Sequence, residues 1–264
     1  MRKISIFTLA LMALLHGPPA MCDDASDEAE LKAIKQLMLV DQLDDALQKA
    51  DKLIARSPDC VSAYIIRSDI ESQKGKYESA LKDLNTALRK HPDHPSALLA
   101  RGLLYFHLKR YQEAIADFSR KIDLGTKKKA AFLWRARCYE EIKQPHKALA
   151  DYSLVIKYHP RDVNIRARRA HVLVILRKYD EAIKEWSEVL KLAPDDGTAY
   201  SERADAFAAK GHWKRAVADY TQALAIEPQF SRALRGRARA YEQLGDKARA
   251  DADRRAASRI EEAK

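Results

Sequence analysis

The sequence predicts an all-α repeat array, an α-solenoid built from helix-turn-helix units, on three observations. Alanine recurs at Ala46, Ala80, Ala114, Ala148, Ala182, Ala216 and Ala250, each 34 residues after the last. Proline follows the same step at Pro58, Pro92, Pro160, Pro194 and Pro228, with Thr126 standing in once. Composition agrees, since 47% of the 264 residues are hydrophobic and 33% charged, with only 8 Gly and 9 Pro to interrupt helices. That balance belongs to a folded helical chain, not a disordered or fibrous one.

Placing each of these alanines at position 20 of a repeat divides the chain into blocks 27–60, 61–94, 95–128, 129–162, 163–196, 197–230 and 231–264, without insertion. A fixed period of this length marks supersecondary units that bury their apolar faces by stacking. In the third block Leu98, Gly102 and Tyr105, then Ala114, Phe118 and Ile122, step by three and four, which puts each set on one helix face. Position 8 is small (Gly102, Ala136, Ala170, Ala204, Ala238) and position 20 is Ala, as a close helix crossing requires. Position 24 carries bulk in Phe118, Tyr152, Trp186 and Tyr220. Gly75, Gly211 and Gly245 mark the turn between helices, and the prolines near each block end stop the second helix.

This pattern resembles the tetratricopeptide repeat, a 34-residue helix-turn-helix with small residues at 8 and 20, aromatics at 11 and 24, and Pro at 32. The stretch "YSERADAFAAKGHWKRAVADYTQALAIEP" (200–228) fits it closely, and the resemblance covers residues 27–264. It implies a right-handed α-solenoid of seven repeats without catalytic activity. The end blocks depart most, with Glu30 at position 4 and Ala50 at 24 in the first and Arg254 at 24 in the last. Terminal repeats have one face in water and are released from the packing rule.

The N-terminus reads as a leader. "MRKISIFTLALMALLHGPPAMC" has a basic start, an apolar run from Ile4 to Leu15 too short to span a bilayer, and a proline break. Residues 1–22 are therefore expected to be a signal peptide and 23–26 a short linker, with the mature chain exported to a periplasm or secreted. Cleavage falls near Ala20 or Cys22. A lipid anchor on Cys22 is the weaker reading, because Pro19-Ala20-Met21 does not supply the small residues that precede a lipidated cysteine. Losing Arg2 and Lys3 takes the formal charge from +10 to +8.

Arg101 breaks an apolar run at position 7, and an unpaired guanidinium there would be destabilising. Arg67, Arg135, Arg169, Arg203 and Arg237 repeat it, and position 23 of the same six blocks is acidic: Asp83, Asp117, Asp151, Glu185, Asp219 and Asp253. Positions 7 and 23 lie equally far from the turn at position 15, so an antiparallel hairpin sets them opposite. Six intra-repeat ion pairs are expected, with a structural role.

No Gly-rich phosphate loop, H-E-x-x-H or G-x-S-x-G occurs, so no enzyme and no cofactor is expected. His91 and His94 flank prolines and read as a solvated turn, not a metal site. Among the cysteines, Cys138 reads as a packed apolar residue and Cys60 as an idle surface thiol; their spacing indicates no disulfide framework.

Within the family, positions 2, 5, 6, 9, 12 and 13 of the first helices line an inner groove for extended peptides. Carried onto this chain, the resemblance implies a groove through Ile65, Asp69, Leu99, Leu103, Phe106, Leu133, Trp134, Arg137, Arg168 and His171. Large apolar residues without a packing duty argue for a binding patch. A chaperone-tail clamp needs Lys and Asn at set positions, where this chain has Ile65, Asp69, Ala100, Ala130 and Trp134. The basic spots "KKK" (127–129) and "RARRA" (166–170) read as solvated faces or complements to acidic partners, and nucleic acid is not an expected partner. The expected function is a non-catalytic scaffold that binds another protein. The alternative is a self-associating envelope protein assembling through its end repeats, with "ELKAIKQLMLV" (30–40) as an uncovered apolar helix.

Overall fold

A computed structural model describes residues 25–125 and 128–262. The expected leader 1–22, Cys22 and residues 23, 24, 126, 127, 263 and 264 lie outside the described residues. The chain divides into two compact units, one ending at Ile142 and the other starting at Lys143, in the turn of the fourth block.

The first unit holds α1 (Ala25–Leu39), α2 (Leu43–Arg56), α3 (Val61–Gln73), α4 (Tyr77–Lys90), α5 (Pro95–His107), α6 (Tyr111–Asp123) and α7 (Lys129–Glu141). The second holds α8 (Pro145–Tyr158), α9 (Val163–Ile175), α10 (Tyr179–Leu192), α11 (Gly197–Ala209), α12 (Trp213–Ile226), α13 (Ser231–Gln243) and α14 (Lys247–Glu262). No strand occurs among the described residues. From Val61 onward the first helix of each block starts 34 residues after the previous one, at Pro95, Lys129, Val163, Gly197 and Ser231.

Within the first unit, consecutive helices pack in pairs, and α1, α3, α5 and α7 also touch in succession. That second contact explains their sequences. A first helix such as α5 meets neighbours on several sides, so "PSALLARGLLYFH" is apolar nearly all round. The second helices α2, α4 and α6 instead carry a narrow apolar stripe, with Ala46, Ala50 and Leu53 as the buried residues of α2.

Every position-20 alanine, from Ala46 to Ala250, is fully buried. The position-8 requirement is sharpest at Gly102, where an added Cβ would lie 2.6 Å from the Phe118 ring. Phe118 is itself fully buried, a burial that stabilises by about 2–3 kcal/mol.

The turns share one backbone device. Position 15 takes a left-handed conformation in all seven blocks, at Asp41, Gly75, Lys109, Lys143, Arg177, Gly211 and Gly245. In the third block the Arg110 amide donates to the Tyr105 carbonyl at 2.8 Å and the Lys109 amide to that of Phe106 at 3.0 Å. These are the two hydrogen bonds of a Schellman cap, which satisfy carbonyls that the helix end leaves open. Glycine supplies the geometry in three turns; Asp, Lys and Arg adopt it in the other four, where sequence alone gives no turn signal.

The apolar face of α1 is not left uncovered. Leu31, Ile34 and Met38 are buried in a cluster with Ala46, Ala50, Leu53 and Ala63. Of "ELKAIKQLMLV", the large apolar residues left exposed are Leu39 and Val40 at its end.

Candidate functional site

The position-7 arginines act as staples. Arg101 donates from Nε to Asp117 Oδ2 and from Nη2 to Oδ1, each at 2.8 Å. Arg67–Asp83, Arg203–Asp219 and Arg237–Asp253 repeat this two-pronged pairing at 2.6 to 2.9 Å. The remaining nitrogen Nη1 reaches back to position 25 of the preceding block: Asp51 for Arg67, Asn85 for Arg101, Ser187 for Arg203 and Thr221 for Arg237. Arg135 reaches Ser119 in the same way at 2.9 Å. Each guanidinium thus ties its own hairpin and joins that hairpin to the one before. The sequence reading missed the second role, although position 25 is polar in every one of these blocks.

The pair of the fifth block departs from expectation. Arg169 Nη1 stays 3.8 Å from Glu185 Oε1, while Arg166 Nη1 donates to that oxygen at 3.0 Å. Glu185 Oε2 and Arg169 Nε are left buried without hydrogen bonds. Arg166, one turn away, takes the carboxylate in its place. Arg135 and Asp151 belong to different units.

The predicted groove residues divide by burial. Ile65, Asp69, Leu103, Phe106 and Trp134 are buried, whereas Leu99, Leu133 and Arg137 are half-buried. Much of the expected binding patch is therefore core between neighbouring first helices, because each first helix has neighbours on several sides. Leu103, Phe106 and Trp134 share one cluster with Leu99 at its margin, and Ile65 sits in another. Arg168 and His171 are exposed in the second unit.

One arrangement stands out on this layer. Phe106 of α5 and Trp134 of α7 meet edge to face, with ring centroids 5.1 Å apart. Arg137 lays its guanidinium 4.2 Å from the Trp134 ring and 5.0 Å from Phe106. Tyr111 adds a second edge contact to Phe106 at 5.6 Å. Flat rings and a guanidinium in this geometry attract by several tenths to about 2 kcal/mol per contact.

Asp69 lies on the same layer, with both carboxylate oxygens buried. Burial, offset only in part by the Gln73 side chain, pushes the carboxyl up to about 7.

In the second unit the corresponding face is polar. Arg232 of α13 donates to Glu202 and to Asp205 of α11, and Tyr220 donates its hydroxyl to Asp205. His171 Nδ1 lies 4.0 Å from Glu202. This network was not read from the sequence, although Arg232, Glu202 and Asp205 stand at groove positions 2, 6 and 9 of their repeats.

Several smaller expectations change. His94 is buried, not a solvated turn residue, and its Nδ1 accepts from the Ala97 amide at 3.2 Å, capping α5. Burial lowers its pKa, favouring the neutral ring that such a cap needs. Cys60 is buried and disulfide-bonded, so the expectation of an idle surface thiol is wrong. Cys138 is a buried free thiol that burial pushes up to about 12, far from a reactive thiolate. Among the described residues no group of His, Cys, Asp and Glu is arranged to hold a metal. No helix among them is long and apolar enough to cross a membrane.

Paired helices, small residues at their crossings and a 34-residue step define a helical-repeat protein. A family model described as Tetratricopeptide repeat matches residues 67–128, 167–228 and 201–263, and a second of the same description matches 130–162. The chain belongs to the tetratricopeptide-repeat family. No curated protein matches the sequence. Among solved structures, the C-terminal part of a TPR repeat-containing protein from Cytophaga hutchinsonii is similar at TM-score 0.75 and 18% identity, covering 87% of this chain and 95% of its own. YrrB, described as a TPR protein with an unusual peptide-binding site, is similar at TM-score 0.64 and 22% identity, covering 70% and 95%. The pilF protein of Pseudomonas aeruginosa gives 0.65 and 13%, covering 78% and 94%. At these identities the likeness speaks for the fold.

Proposed function

We infer that the protein is an exported, non-catalytic scaffold whose first helices hold an extended segment of another protein. The observation that carries this is the Phe106–Trp134 pair with Arg137 stacked on it, flanked by half-buried Leu99 and Leu133. A rigid aromatic floor with an adaptable cationic rim suits a flexible ligand, which then bears most of the ordering cost. A peptide-binding site described for YrrB, a protein of like fold, supports the same reading. Export is supported by the leader pattern.

The test is cross-linked capture from the native envelope fraction, comparing the chain with its Leu133→Asp/Arg137→Glu variant. These two side chains are partly open to solvent, whereas Phe106 and Trp134 are core and their loss would also report on folding. A protein captured by the parent and lost by the variant supports the reading; equal capture by both overturns it.

The second reading, self-assembly through the first repeat, is favoured by exposed Leu39 and Val40. Concentration-dependent oligomers that Leu39→Lys/Val40→Lys abolishes would support it, and a monomer at all concentrations would remove it.

A further inference from the structure

Trp213, at the start of α12, lines two hollows in the second unit. One, of about 430 Å³, is walled by Ala208, Ala209, Trp213 and Gly236, with Arg239 also lining it. The other, of about 450 Å³, runs along Trp213, Lys214, Arg215 and Leu244. The first exists because small residues stand where other first helices carry bulk. Ala208 and Ala209 occupy the positions of Phe106 and His107 in the third block. Gly236 is required by Tyr220, whose ring would lie 2.4 Å from any Cβ placed there.

The charges around Trp213 are unevenly satisfied. The acids that line the first hollow are engaged, Asp205 with Tyr220 and Arg232, and Glu242 with Arg254. Arg239, Lys214 and Arg215 are exposed and have no acidic partner among the described residues; Arg215 only packs 5.7 Å from the Phe207 ring. Residues 143–262 hold 24 Lys and Arg against 18 Asp and Glu, so the long-range field has the same sign.

We propose that Trp213 and its two hollows form a docking site for an acidic peptide segment, one that alternates carboxylate side chains with large apolar ones. The apolar side chains fill the hollows against Trp213, Ala208 and exposed Leu244. The carboxylates reach Arg239, Lys214 and Arg215, whose hydrogen-bond donors are free. Base stacking with phosphate contacts also uses an aromatic among cations, but the small apolar walls Ala208, Ala209 and Leu244 beside Trp213 suit apolar side chains. The proposal rests on the scaffold reading above and names the chemistry of the partner.

The probe is an end-blocked, fluorescein-labelled peptide of alternating Glu and Phe, followed by anisotropy against the full chain. A Lys/Phe peptide and an oligothymidylate of like length serve as rivals. Binding of the Glu/Phe peptide is expected to weaken about tenfold in Arg239→Glu and in Lys214→Glu/Arg215→Glu, and to weaken as salt is raised. Arg239→Gln, which adds no charge, is expected to show a smaller loss and guards against misfolding of the reversed variants. Absence of binding, indifference to all three variants, or equal affinity for oligothymidylate overturns the proposal. If the peptide fails while capture still depends on Leu133 and Arg137, this site alone is wrong; if both fail, the scaffold reading falls with it.

Discussion

Arg101 grips both oxygens of Asp117 at 2.8 Å and spends its remaining nitrogen on Asn85, one hairpin earlier. Three helices, α4, α5 and α6, therefore meet on one guanidinium. Asp117 is buried and Arg101 mostly so, hence removing the acid leaves a positive charge in the interior. Asp117→Ala is expected to destabilise the chain by on the order of 3 kcal/mol. Replacing both members by Leu should cost less, because no charge is stranded. Urea unfolding of the single and double variants checks this, and equal losses would refute the staple.

Asp69 predicts a pH dependence of opposite sense to that of a paired carboxylate. Its native pKa is raised from 3.8 to about 7 by burial. Below about pH 4 the group is neutral in both states and costs nothing. Between about pH 4 and 7 the unfolded chain ionises and the native one does not, so stability falls as pH rises, by roughly 4 kcal/mol in all. Asp69→Asn should abolish this fall and be the more stable protein above neutrality. Unfolding midpoints of both chains across that range decide the matter; parallel curves would show that Asp69 is not the source.

Lys109 and Arg177 hold left-handed turns at φ 59° and 57°. A residue with a Cβ is strained there by about 1–2 kcal/mol, partly offset by its smaller unfolded-state entropy relative to glycine. Lys109→Gly and Arg177→Gly are each expected to stabilise by about 0.5–1 kcal/mol, read as a rise in melting temperature. A lowered melting temperature would mean that these side chains make contacts worth more than the strain.

Cys60 and Cys138 should differ in chemistry for different reasons. Cys138 is shielded by burial, so iodoacetamide is expected to spare it in the native chain and modify it once denaturant is added. In the full-length chain Cys60 is disulfide-bonded and should stay unmodified in denaturant until a reductant is supplied. Peptide mapping separates the two, and alkylation of Cys60 without reductant would contradict the bond.

The period, the helix pairs, the small residues at their crossings and the Arg–acid partnership at positions 7 and 23 are legible in the order of the amino acids alone. Each is a local or fixed-offset property, and repetition over seven blocks makes such properties visible. Which apolar side chains are interior depends on how the helices stack. Phe106 and Trp134 occupy groove positions in the repeat pattern, yet α5 and α7 close on each other and bury both, leaving Arg137 at the rim. The same holds for the staple to position 25, the Glu202–Arg232–Asp205 network and the hollows at Trp213. The staple spans 16 positions and the Arg232 contacts 27 and 30, in each case through the stacking of one hairpin on the next, and burial there depends on summed neighbours that no single block encodes.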